Sequence, residues 1–384
     1  MKSRLPLTLF LIAFTLSAWS QKVSPADTKA TKKTRMLYTN LQQISQQGTL
    51  FGHQDDQAYG VGWWNEKGRS DVKDVTGSYP SVHGWDLGDI GISPFNLDTV
   101  DFKLMRQWIK ATYKRGGINT ISWHLDNPKT GGGSWDKTPA VKDILPGGPA
   151  HKVYLSQLNA LADFLKSCKV GLTSIPIIFR PFHEHNGNWF WWGKGHCSEE
   201  EYIALWRFTV DHLRTQQGIH HLLYAFSPDR SRLDLSKGAE AYYYGYPGDE
   251  YVDIIGLDNY WDVGHAKNKK TLEQQEKDLI QSLSLIHKIA TEKNKVAALT
   301  ETGHSGLKER DWFTQRILKP LKENTDLNIA WVLVWRNRHK NHFYSPPKDH
   351  PAAHDFQVFF DDPHTLFEKD LRKVYKPGFE IINK

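Results

Sequence analysis

A chain of 384 residues carrying a formal net charge of +6 has room for one large domain or two small ones. Its Lys and Arg residues are scattered, with no block of the kind that tracks a phosphate backbone, so no nucleic-acid partner is expected. Cys168 and Cys197 are the only cysteines, which excludes a disulfide framework, although in an oxidising compartment the two could pair. The aromatic content is more informative. The 15 Trp, 15 Tyr and 18 Phe, many beside polar residues, suit a surface that stacks the apolar C–H faces of sugar rings.

Residues 1–20 have the form of a secretory signal peptide: basic Lys2 and Arg4, an apolar run from Leu5 to Trp19, and Ala18-Trp19-Ser20 ahead of Gln21. The run is short for a membrane span, so the expectation is a secreted or periplasmic protein whose mature chain has no membrane span. Residues 21–33, rich in Lys, Thr, Ser and Ala, read as a disordered lead-in, and 34–384 as a single domain. Beyond that point short apolar runs alternate with longer amphipathic ones. The apolar runs, expected to be strands, are Thr49–His53, Pro80–Asp86, Ile118–His124, Ile175–Arg180, His221–Ser227, Val252–Leu257, Lys295–Thr300 and Ile329–Trp335. Helical patterns cover Asp98–Arg115, Lys152–Lys166, Ser198–Gln216, Leu272–Glu292 and Arg310–Glu323, while Gly60–Tyr79 reads as irregular with only short helix. Eight strands alternating with helices predict an α/β fold of the (β/α)8 TIM-barrel class. A doubly wound open sheet is the alternative, but no Gly-rich dinucleotide fingerprint follows any of these strands.

The strand ends concentrate the chemistry. The stretch IPIIFRPFHEHNGNWFWWG begins as a strand buried on both faces and ends in Arg180, His183, Glu184, His185 and Asn186, followed by Trp189, Phe190, Trp191 and Trp192. A buried strand has no packing reason to end this way, whereas strand ends opening into loops are where barrel folds place their active groups. Other ends carry Gly52-His53-Gln54-Asp55-Asp56, Trp85-Asp86, Trp123-His124-Leu125-Asp126-Asn127, Ser227-Pro228-Asp229, Asp258-Asn259-Tyr260-Trp261, Thr300-Glu301-Thr302-Gly303 and Trp335-Arg336-Asn337. In a barrel all of these meet at one mouth. Glu184 and Glu301, after strands four and seven, then face each other across it. A carboxyl group beside aromatic walls has its pKa raised and serves as a general acid. Paired carboxyl groups about 5–5.5 Å apart hydrolyse glycosides with retention.

Taken together, RPFHEHNGNWFWWG, GHQDD, SWHLDNP, GLDNYW, LTETG and VWRN resemble the β-mannanases of glycoside hydrolase family 26, over nearly the whole chain after residue 20. The resemblance implies a retaining β-1,4-mannanase acting on mannan, glucomannan or galactomannan, with no cofactor and no metal. It implies Glu184 as acid/base and Glu301 as nucleophile, Tyr260 hydrogen-bonded to the nucleophile, and Trp335 as the floor beneath the sugar. His183, in place of the Asn usual before the acid in related barrel glycosidases, is this family's own departure. His124, His183, Trp189, Asp258 and Arg336 match positions lining the substrate cleft, and Trp135, in the Gly131–Asp136 loop, is a looser match.

Other readings remain open at this stage. The same family includes activities on mixed-linkage glucan and xylan, and a barrel of this kind can bind glycan without cleaving it, although pure binding needs no opposed carboxylate pair. The histidines His53, His124, His183 and His185 raise the possibility of zinc, but HEHNG lacks the spacing of a His-Glu-x-x-His helix. Trp191 and Trp192 read as packing for the loop. Trp63-Trp64 and Tyr242-Tyr243-Tyr244 either line distal subsites or belong to the core.

Overall fold

In a computed structural model that describes residues 24–382, eight parallel strands close into a barrel. They are β1 (Thr49–Gln54), β2 (Val82–Asp86), β3 (Ile118–Trp123), β4 (Ile177–Pro181), β5 (Leu222–Phe226), β6 (Ile254–Asn259), β7 (Val296–Thr302) and β8 (Ile329–Val334). Closure is through β8 and β1, where Leu50 pairs with Trp331 and His53 with Val334. Each expected strand is present within a few residues of its expected bounds. A ninth short strand, β9 (Thr365–Leu366), pairs with the first residues of β1.

The connecting helices follow their caps. The strand-two crossover starts at Phe102 rather than Asp98, because Asp101 caps it by accepting from the Lys103 and Leu104 amides (2.6 and 3.2 Å). Asp98 is instead drawn to Arg336 (2.8 Å). Glu199–Asp211 and Leu272–Glu292 begin with capping boxes, Ser198 with Glu201 and Thr271 with Gln274. The expected helix over Arg310–Glu323 forms as a π-helical segment, Phe313–Leu318, passing into a short α-helix at Lys319–Glu323 that carries Pro320 in its first turn. The β5–β6 crossover has only short helical turns, and the β1–β2 link holds one six-residue helix, Asp71–Thr76.

Helix α1 (Lys32–Ser45) sets the other end of the molecule. Its Leu37, Tyr38, Leu41 and Ile44 join Leu50, Val82, Ile118, Ile178, Leu223, Ile254 and Val296, the first inward residues of seven strands, in one buried cluster. That cluster seals the barrel at the strands' N-terminal end, leaving the C-terminal end for loops. The expected disordered lead-in is corrected from residue 24 onward. Ala26 donates its amide to Asp253 (2.6 Å), Asp27 pairs with His220 (2.8 Å), and Thr31 caps α1. These few polar anchors outweigh a composition that alone suggests disorder. Residues 21–23 and the signal-like segment 1–20 lie outside the described residues. Cys168 and Cys197 are both free thiols. Among the described residues no helix is long and apolar enough to cross a membrane.

Candidate active site

At the C-terminal end of the strands lies a cleft of about 1140 Å³, bordered by Glu184, Glu301, His124, His183, Trp189 and Trp335. Trp135 and Tyr260 also border it. The chain enters this region through a sharp bend after β4. Phe182 and Glu184 both adopt left-handed backbone (φ 47° and 54°), which costs a non-glycine residue conformational energy and is found where structure elsewhere holds it in place. The holding groups are visible. The Phe182 ring is buried among Trp123, Trp191, Trp192 and Trp206, and the Glu184 amide donates to Ser227 O at the end of β5 (2.7 Å). Asn186 then ties the two loops together, accepting from the Asp229 amide and donating to the Asp229 carbonyl.

Glu301 is aimed by a bulge. The register between β6 and β7 shifts after Leu257, so that Leu257 pairs with Leu299 but Asp258 with Glu301. Thr300 can therefore donate to Asp258 (2.7 Å) while the next residue, Glu301, also reaches the cleft. One Glu301 oxygen accepts from Tyr260 Oη (2.8 Å), the contact expected of Tyr260, and the other accepts from Arg180 Nη2. The second arm of Arg180 holds Asp258 (2.5 Å). A guanidinium fork is suited to binding two buried carboxylates at once.

Glu184 has a different environment. Its carboxylate accepts from Trp189 Nε1 (2.7 Å). Burial, then the negative charges of Asp229, Asp258 and Glu301, push its pKa well above the usual carboxylate range, with Arg180 opposing. The neighbouring histidines also split. Burial opposes the charged form of His124, but Asp86 at 2.7 Å prevails and raises its pKa. Burial, with Arg180 and His124 nearby, lowers His183 well below the ordinary value. The two rings are in edge contact at 4.6 Å, one favouring the cation and the other the neutral imidazole. Trp135, 54 % exposed, stacks on His124 at 5.4 Å, and Trp335 lies 6.1 Å from the same ring.

Two expected cleft residues are placed otherwise. Asp258 is fully buried beneath the cleft between Arg180 and Thr300, so it supports the site without facing it. Arg336 does not border the cleft; its side chain turns to Asp98 (2.8 Å). His185 also leaves the site, stacking on Tyr202 and bonding to Tyr244 O (2.7 Å). Trp191 and Trp192 are buried and anchor the loop through Leu125 O and His183 O. Among the described residues no three His, Cys, Asp or Glu side chains are grouped as a metal site requires. Four residues with a part in the site were not assigned one from sequence: Arg180, Asp229, Phe190 and Tyr344. Arg180 carried a signal, since an Arg in a buried strand requires a buried anion. Tyr344 sits in a loop with no motif to mark it.

The model of glycosyl hydrolase family 26 matches residues 26–302 of this chain. The chain belongs to glycoside hydrolase family 26. A mannan endo-1,4-beta-mannosidase of Bifidobacterium adolescentis is 31 % identical over 364 residues, covering 90 % of this chain and 35 % of that protein. One from Bacillus subtilis is 32 % identical over 213 residues, covering 51 % of this chain and 55 % of its own. The chain thus spans about a third to a half of the length of these curated relatives. Among solved structures, a family 26 beta-mannanase from Bacteroides ovatus superposes with a TM-score of 0.84 at 41 % identity, covering 91 % of this chain and 98 % of that one.

Proposed function

We propose that this protein hydrolyses β-1,4-mannosidic bonds in mannan, glucomannan or galactomannan with retention of configuration. The observation that carries the reading is the contrast between two carboxyl groups in one cleft. Glu301 is oriented at both oxygens by Tyr260 and Arg180, while burial and like charge favour the protonated form of Glu184. In the first step Glu184 gives its proton to the leaving oxygen as Glu301 attacks the anomeric carbon, breaking the glycosidic bond and forming a glycosyl ester. In the second, Glu184 takes a proton from water, which displaces Glu301 and releases the sugar. Aromatic walls from Trp189 and Trp335 offer flat apolar faces to the pyranose rings, and the likeness to mannan endo-1,4-beta-mannosidases and a family 26 beta-mannanase supports mannan as the substrate. The basic and apolar leader supports a secreted or periplasmic location, where a polymeric glycan is accessible.

Glu184→Ala tests the assignment. Hydrolysis of mannan should collapse, whereas the first step on aryl mannosides with good leaving groups should survive, since such groups depart without protonation. Equal loss on both substrates would remove Glu184 from the acid role. Cleavage of mixed-linkage glucan or xylan by the wild type, with mannan untouched, would overturn the substrate.

A further inference from the structure

A second groove, of about 490 Å³, opens where the β1 loop meets the β8 loop. Gly60, Gly62, Trp64, Arg338, His339 and Lys340 border it. Lys340 borders the catalytic cleft as well, so the two depressions adjoin at that residue. The groove's wall is a small hairpin in which Tyr59–Gly60 pairs antiparallel with Trp63–Trp64, and Tyr59 lies directly opposite Trp64. Successive strand residues point to opposite faces. Trp63 accordingly turns inward, buried, with its Nε1 bonded to Asp71 (2.6 Å), and Trp64 turns outward.

Trp64 is 41 % exposed yet held on one side. Its ring stacks on Tyr59 at 4.6 Å with an 11° interplanar angle, and the Tyr59 hydroxyl is fixed by Asp55 (2.6 Å). With one face covered by Tyr59, the exposed area belongs to the opposite face and the edges. A flat apolar surface fixed in orientation beside guanidinium, imidazole and ammonium groups has the chemistry of a pyranose subsite, where C–H faces stack and hydroxyls accept hydrogen bonds. We propose that Trp64 is a stacking platform for a distal ring of the same glycan chain whose scissile bond lies at Glu184 and Glu301, with Arg338 and Lys340 addressing its hydroxyls. This inference rests on the reading of the protein as a mannan hydrolase. Only chains long enough to pass Lys340 fill the platform, so it favours polymer over short oligosaccharide, and its rigidity limits the ordering cost of binding.

The test compares kcat/KM on unbranched mannan with that on mannotetraose for the full chain and three variants. Trp64→Ala removes the ring, Trp64→Leu covers Tyr59 without a flat face, and Trp64→Tyr keeps a face. The polymer-to-tetraose ratio should fall about three- to tenfold in the Ala and Leu variants, the range of one aromatic contact, and by less in the Tyr variant. Should Trp64→Ala lose the fold, Trp64→Leu decides. An unmoved ratio in a wild type and variants that all cleave mannan overturns the platform alone. Equal loss on both substrates, or failure of even Trp64→Tyr to fold, makes Trp64 a structural residue and overturns it too. A wild type inert on mannan overturns the functional reading, and the mannan platform with it.

Discussion

The interior of this barrel has two halves built from the same strands. Counting inward residues along each strand, the N-terminal layer is Leu50, Val82, Ile118, Ile178, Leu223, Ile254 and Val296, sealed by α1. Four residues further along six of these seven strands come Gln54, Asp86, Ser122, Ser227, Asp258 and Thr300, all buried as well, while on β4 the polar residue is Arg180, two beyond Ile178, and the fourth is the apolar Phe182. Burying the first layer is favourable on its own. Burying the second is costly unless each polar group finds a partner. Apart from Gln54, whose buried Nε2 has no hydrogen-bond partner, the upper layer is accordingly linked: Ser227 to Thr300 (2.8 Å), Thr300 to Asp258 (2.7 Å), Asp258 to Arg180 (2.5 Å), and Arg180 to Glu301. On the other side Ser122 and His124 hold Asp86. Between the layers Gly84 and Gly256 leave the space these chains need, since a Cβ on Gly84 would lie 2.0 Å from Gln54 Oε1 and one on Gly256 2.5 Å from Ser227 Oγ. Stability and chemistry thus occupy different heights on one set of strands, and they should be separable by mutation.

Arg180 binds two carboxylates of the polar layer, and its removal should have the largest effect. Arg180→Ala leaves Asp258 and Glu301 buried without their cation, so unfolding free energy should drop by about 3–5 kcal/mol. In protein that still folds, kcat/KM on mannan should fall about 10²–10³-fold, as for loss of a charge-orienting donor. Retained activity would mean that Glu301 does not depend on the guanidinium. Below the polar layer the effects should part company. Ile178→Ala should cost about 2–5 kcal/mol in denaturant unfolding while leaving kcat/KM within about threefold. A comparable loss of activity in folded protein would show that the layers are coupled. The smallest effect concerns pH. In the proposed mechanism Glu184 acts in its protonated form, so activity should be lost as pH rises through its pKa, which the Asp229 charge holds up. Asp229→Asn should therefore move the basic limb of kcat/KM to lower pH. A limb that stays in place or moves upward would assign its control to another group.

Much of this organisation was legible in the sequence because period and position are physical constraints. A strand closed on both faces reads as a continuous apolar run, and a barrel brings all strand ends to one mouth, so the runs and their polar ends marked both the fold and the glutamates. What escaped was set by contacts between distant segments. The bulge that turns Thr300 and Glu301 together depends on the pairing of β6 with β7 and leaves no local pattern. Asp258 and Arg336 matched motifs, yet each is turned away from the cleft by a partner remote in sequence, Arg180 for one and Asp98 for the other. Residues 24–33, the described part of the expected lead-in 21–33, looked disordered because their anchors, Asp253 and His220, come from segments distant in sequence. Trp63 and Trp64 could not be told apart until the hairpin gave them opposite faces.

The central claim is that Glu184 and Glu301 act on one anomeric carbon in two successive inversions. The most direct measurement is proton NMR of the anomeric signals in the first minutes of hydrolysis of mannohexaose, before mutarotation sets in. Direct attack by Glu301 followed by water should give β-configured product first, as expected for carboxyl groups about 5–5.5 Å apart. Initial appearance of the α-anomer would mean single displacement by water across a wider gap, with Glu301 acting as a base, and would contradict the roles given to both residues.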